Sequence, residues 1–166
     1  LLAGHGTTLE DLANTSIHDW QQSALDAALS LREVVSEIYL VGNSLGGNLA
    51  FYLATRHPNL FSGVVSVGTP IRVRWQRFYK VALSTYGQLK KYQRKNRLFY
   101  PQSSDESHND YFDTMPISSV KNLFRFVKEI TIPNLKQVKV PTLVVQSVKN
   151  PVVDQVSARY IFANLV

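Results

Sequence analysis

The sequence predicts an α/β domain: a parallel sheet with helices on both faces and a helical insertion after the second strand. Three observations carry that reading. Short apolar runs at residues 38–41, 63–68 and 142–146 are rich in β-branched side chains and lack the alternation of a half-buried strand. Between them lie segments with apolar residues at three- and four-residue steps, as in 20–31 and 45–56. Residues 71–100 then break the composition, with nine Lys or Arg and no Asp or Glu.

At 166 residues and 45% hydrophobic content the chain can bury one core and is too short for two ordinary domains. A net charge of +6 favours anionic surfaces or ligands without naming one. The absence of cysteine excludes a disulfide framework, a thiolate zinc site and a cysteine nucleophile. No stretch reaches the length of a membrane-spanning helix and no basic-then-apolar leader opens the chain, so the expected location is cytoplasmic. The sequence starts at Leu1 without a methionine, inside what reads as a motif.

Residues 1–15 read as the tail of a strand and a loop, with His5 a loop histidine. Thr15 or Ser16 can cap a helix whose apolar positions are Trp20, Ala24, Ala27, Ala28 and Leu31. Trp20 is a core residue in this reading, and His18 is solvated or capping. The strand at 38–41 ends at Gly42, where Gly42-Asn43-Ser44-Leu45-Gly46 forms a G-x-S-x-G pentapeptide leading into a helix. Ser44 therefore sits on a strand-to-helix turn with its Oγ above the strand's carboxyl end. Gly42 and Gly46 are expected to relieve crowding across that turn, and the Leu45 amide, at the helix start, can donate to an oxyanion.

His57-Pro58-Asn59 stops the helix, and Thr69-Pro70 leaves the second strand at its carboxyl end, where open α/β sheets place ligands. In the basic stretch, Trp75, Phe78, Tyr79, Ala82, Tyr86 and Leu89 trace a helical stripe. Such a helix suits a cover with its charges in water, or weak contact with an anionic membrane surface. No nucleic-acid-binding module surrounds it. Residues 102–110 form a polar loop in which His108 reads as a loop residue. Helical periodicity returns at 122–130, and 131–133 is expected to lead back to the sheet. After the third strand, Asp154 is placed to cap a helix over 155–165.

The chain resembles the α/β-hydrolases, and within them the bacterial carboxylesterases and monoacylglycerol lipases. The resemblance is carried by GHGTT (4–8), the Trp20 helix, VGNSLGGNLAFYLATRHP (41–58) and PTLVVQSVKNPVV followed by SA (141–158), which together span nearly the whole chain. It implies a partial α/β-hydrolase fold, with residues 1–70 and 136–166 as two parts of the core and 71–135 as a helical cap. It also implies a serine hydrolase acting on small-molecule carboxylic esters, with Ser44 as nucleophile and Leu45 in the oxyanion hole. Neither a cofactor nor a metal nor a nucleic-acid partner is expected, and the oligomeric state is unassigned.

In the resembled family the loop after the third strand ends Lys-Asp-Pro and presents the triad acid; this sequence has Lys149-Asn150-Pro151. Asn150 thus occupies the acid position with an amide, which supplies no charge to stabilise an imidazolium and can select the wrong tautomer. Asp154, four residues later, is the alternative acid. The family's histidine, expected beyond one more strand, and its first oxyanion donor, expected upstream of 4–8, are not among these residues. The expectation is therefore a fragment, silent on simple esters and prone to associate through the open edge of the 38–41 strand. The competing reading is a catalytically inactive protein that binds acyl ligands or a lipid surface.

Overall fold

A computed structural model describes residues 1–74, 90–94 and 114–165. Helices α1 (Leu9–Asn14) and α2 (Ile17–Arg32) precede strand β1 (Tyr39–Asn43), helix α3 (Leu45–Arg56) and strand β2 (Gly63–Val67). Strand β3 (Tyr92–Arg94) pairs antiparallel with β4 (Thr114–Pro116), which runs into helix α4 (Ile117–Phe126). Strand β5 (Thr142–Val145) and helix α5 (Val156–Asn164) follow. The main sheet is parallel throughout, in the order β1-β2-β5.

The register decides which side chains are buried. Leu40, Val64 and Val144 point to one face, where they meet Ala50, Phe51 and Ala54 of α3, Leu135, Val138 and Ile161 of α5. Val41, Val65 and Leu143 lie in one row on the other face. Val41 is 74% exposed there and Leu143 59%. The uninterrupted apolar run predicts burial on both faces, whereas the described helices cover only one. β1 is also an edge of the described sheet, so its apolar side chains meet water on one face and along one side.

A second cluster joins α1, α2, α3 and α4 through Leu12, Trp20, Leu49 and Phe126. Trp20 is buried, as its helical spacing predicts, and the Phe126 ring meets Tyr52 edge-on at 6.1 Å. Three donors from α4 satisfy carbonyls at the end of α1: Ser118 Oγ to Ala13 O (2.8 Å), Ser119 Oγ to Leu12 O (3.1 Å) and Asn122 Nδ2 to Thr15 O (3.2 Å).

Two elements depart from the sequence reading. The first is α1, in a stretch read as loop: Thr8 Oγ1 accepts from Asp11 N at 3.1 Å and Thr8 N donates to Asp11 Oδ2 at 3.3 Å, a reciprocal cap that starts the helix. The second is the helical stretch expected at 122–130. It begins at Ile117 and passes through a π-helical turn (Val127–Thr131), a short α turn (Ile132–Asn134) and a 3₁₀ turn (Leu135–Gln137). Ile132 N reaches back to Val127 O, and Pro133 falls where a new turn starts and its missing N–H costs little. The aromatic stripe within 75–89 and His108 lie outside the described residues.

Ser16 caps α2 in the same reciprocal way with Asp19, at 3.2 Å and 2.8 Å. The Ser16 backbone N–H, and after it the Ser16 hydroxyl, hold the Asp19 carboxyl below its ordinary value. A depressed folded-state pKa contributes stability that is complete above the unfolded value of 3.8 and is lost as pH falls through the folded one. The first turn of α2 should therefore fray only in acid below that value. An NMR titration of the Ser16 amide should show a midpoint under 3.8, and a midpoint at or above 3.8 would count against the cap.

Candidate active site

Ser44 joins β1 to α3 with φ 53° and ψ −117°. It is the one non-glycine residue with positive φ among the described residues, and its exposed side chain makes no capping hydrogen bond. Such a backbone costs energy for any residue with a Cβ and persists only where surrounding structure enforces it. Ser44 N donates to Val67 O at 2.9 Å and Gly47 N donates to Ser44 O at 3.1 Å, pinning the turn to β2 on one side and to α3 on the other. Leu45 opens α3, so its N–H has no acceptor within the helix.

The crowding across this turn is one-sided. A Cβ on Gly42 would sit 2.5 Å from Gly47 N and closer still to the Gly46 carbonyl, whereas a Cβ on Gly46 would meet nothing within 4 Å. The expectation that both elbow glycines relieve a mutual clash is thus corrected. The Gly42 Cβ direction points into the helix start, and that of Gly46 points into open space. Gly47 is the second position under pressure, with its Cβ site 2.9 Å from Thr69 Cβ and nearer to Oγ1. Thr69 is itself buried and shares a 2.6 Å hydrogen bond with Ser66. The doubled glycine after Leu45 was the available signal for this contact.

Beneath Ser44 lies a buried amide that sequence reading missed. Asn48 is fully buried one turn into α3; its Oδ1 accepts from Thr131 Oγ1 at 2.8 Å, and Nδ2 makes longer contacts to Ser44 O (3.4 Å) and Pro70 O (3.5 Å). The π turn carries Thr131 to that position. A polar residue on an otherwise apolar helix face was the only hint, and its partner lies 83 residues away.

The loop after β5 is stitched to the segment that leaves β2. Arg74 N donates to Val152 O (2.9 Å) and Asp154 N to Arg72 O (3.0 Å); Val73 bridges Val153. Ser157 Oγ, fully buried, accepts from Arg72 N and donates to Arg72 O, both at 2.9 Å. Within this loop Asn150 Oδ1 accepts from Val152 N and Val153 N. The Asp154 carboxylate accepts from Val156 N at 3.0 Å and is engaged at the start of α5. A Cβ on Gly68, which has φ 53°, would lie 3.6 Å from Asn150 Nδ2 and 3.7 Å from Asn43 Oδ1. Asn150 and the residue preceding Ser44 therefore flank one point at the carboxyl end of β2.

Of the described histidines, His5 Nδ1 lies 3.0 Å from Ala3 O, His18 is exposed on α2, and His57 ends α3 with its backbone N–H on Leu53 O. Among the described residues no histidine is hydrogen-bonded to Ser44. Among them, too, no three His, Cys, Asp or Glu side chains are grouped to hold a metal, and no helix is long and apolar enough to cross a membrane.

The family described as serine aminopeptidase, S33, matches residues 2–166. The chain belongs to this family of α/β-hydrolases. A thermostable monoacylglycerol lipase from Bacillus sp. (strain H-257) is 36% identical over 72 residues, 43% of this chain and 28% of that protein. Among solved structures, one reported for the metagenome-derived lipolytic enzymes LipS and LipT superposes with TM-score 0.82 at 23% identity, covering 99% of this chain and 65% of that one. The monoacylglycerol lipase of Paleococcus ferrophilus gives TM-score 0.72 at 16% identity, covering 91% and 62%. At those identities the structural likeness establishes the α/β-hydrolase fold alone. The chain spans under two thirds of the length of each of these relatives.

Proposed function

We propose that this chain carries the nucleophile of a carboxylic ester hydrolase of the monoacylglycerol lipase type, with Ser44 in that role. The observation that carries the reading is the backbone of Ser44, held at positive φ on a strand-to-helix turn beside the unpaired Leu45 N–H. In the reaction, Ser44 Oγ attacks the ester carbonyl as a base takes its proton, and Leu45 N–H donates to the oxyanion. The C–O bond to the alcohol then breaks, with the proton returned to the leaving oxygen, and water releases the acid from Ser44. The 36% identity to a monoacylglycerol lipase supports an ester substrate over a peptide.

In this reading residues 71–135 form the cap, the base is a histidine beyond the described residues, and the protein is cytoplasmic. Asn150 favours a second reading, a protein of the same fold that binds acyl ligands without turnover.

A boronic acid tests the nucleophile without needing the base, because trigonal boron accepts the serine oxygen and becomes tetrahedral, with the proton released to solvent. Butylboronic acid at mildly alkaline pH should give a tetrahedral boron signal and shift the Leu45 amide resonance. Both effects should vanish in Ser44→Ala. Identical spectra for the two proteins would refute the assignment of Ser44.

A further inference from the structure

The buried amide of Asn48 is held in one orientation. Its Oδ1 accepts from Thr131 Oγ1 at 2.8 Å, and Nδ2 lies between two carbonyls, Ser44 O at 3.4 Å and Pro70 O at 3.5 Å. Turned round, the amide would set its own oxygen against both carbonyl oxygens with no proton between them. Each N–H of Nδ2 thus has one carbonyl to serve, and the side chain is satisfied although it is fully buried. The Ser44 carbonyl also accepts from Gly47 N at 3.1 Å.

That carbonyl belongs to the same peptide unit as the Leu45 N–H. The unit is trans, and a trans peptide is planar with its C=O and N–H on opposite sides. Whatever holds Ser44 O therefore fixes the direction of the Leu45 N–H. A hydrogen bond accepted by the oxygen also polarises the peptide and makes its N–H a stronger donor.

We infer that Asn48 is a positioning residue for the oxyanion donor: from beneath the turn its Nδ2 holds Ser44 O, and so aims and strengthens the Leu45 N–H. This rests on the nucleophile reading of Ser44. Through Pro70 O the same amide ties the chain leaving β2 to the Ser44 turn, and Thr131 keeps the donor end turned toward both carbonyls. When negative charge forms beside the Leu45 N–H, the peptide polarises further and the bond from Nδ2 to Ser44 O tightens.

Two variants separate this role from one in stability alone. Asn48→Leu and Thr131→Val both break the bond between these residues, but only the first removes the donor to Ser44 O. Below the melting transition of each protein, the Kd for butylboronic acid should rise at least about fivefold in Asn48→Leu and stay within about twofold of the wild type in Thr131→Val. At saturating boronate the shift of the Leu45 amide resonance should shrink in Asn48→Leu alone. Equal affinities and equal shifts in the two variants would overturn the inference. A measurement on the wild type needs no variant to fold: the Asn48 side-chain NH₂ resonances should move when boron adds to Ser44. A tetrahedral boron signal with unmoved Asn48 resonances overturns this inference and leaves the nucleophile standing, whereas absence of that boron signal overturns the nucleophile reading itself.

Discussion

Gly42→Ala should destabilise the chain by more than about 3 kcal/mol, beyond the usual range for an overpacked side chain, because the added methyl meets main chain. Its Cβ would sit 2.5 Å from Gly47 N and inside the contact distance of the Gly46 carbonyl. Backbone at the start of α3 cannot swing aside as a flexible side chain could. Moving it would break the bonds from Ser44 N to Val67 O and from Gly47 N to Ser44 O that pin the turn. In a chain of this size the melting temperature should fall by roughly 10 °C. Gly46→Ala is the internal control. Nothing lies within 4 Å of its Cβ, and alanine is favoured over glycine within a helix by roughly 0.5–1 kcal/mol, so that variant should melt at or slightly above the wild type. Equal melting temperatures for the two variants would contradict the one-sided crowding.

Replacing Asn48 should have the next largest effect. Asn48→Leu keeps the branched shape but removes the acceptor of Thr131 Oγ1 and the donor facing Ser44 O and Pro70 O, all under the Ser44 turn. Leaving the buried hydroxyl unpaired should cost on the order of 2–3 kcal/mol, and Thr131→Val, which strands the Asn48 carbonyl instead, about 1–2 kcal/mol. Because the two residues share one short hydrogen bond, the double variant should lose clearly less than the sum. Chemical denaturation of the four proteins gives the coupling. Strict additivity would show that the Thr131 contact does not tie the end of the π turn to the Ser44 segment.

The strand, pentapeptide and helix around Ser44 were legible because each rests on local chemistry: an apolar run, glycines beside a serine, and three- and four-residue spacing in α3. The pairing of β1 with β2 was legible from two apolar runs joined by one helix, whereas the place of β5 beside β2 emerges only in the fold. What the sequence hid depends on direction or distance. Nothing in the letters distinguishes Gly46, whose Cβ direction is open, from Gly47, whose Cβ would collide with Thr69. Helix α1 was hidden because its Thr8–Asp11 cap sits in a segment that otherwise reads as polar loop. The π turn is invisible to a 3.6-residue period, and the Asn48–Thr131 bond joins residues 83 positions apart. At Asn150 the residue type was plain, but which end of the amide faces outward depends on two backbone N–H groups that only the folded loop brings to it.

The central claim, that Ser44 presents a nucleophile to a carbonyl held by the Leu45 amide, is tested most directly by a crystal structure of the chain with butylboronic acid. The account predicts continuous density from Ser44 Oγ to a tetrahedral boron, with one boron-bound oxygen within hydrogen-bonding distance of Leu45 N. Boron bound at another residue, or an unmodified Ser44 whose Oγ is turned away from Leu45 N, would contradict it.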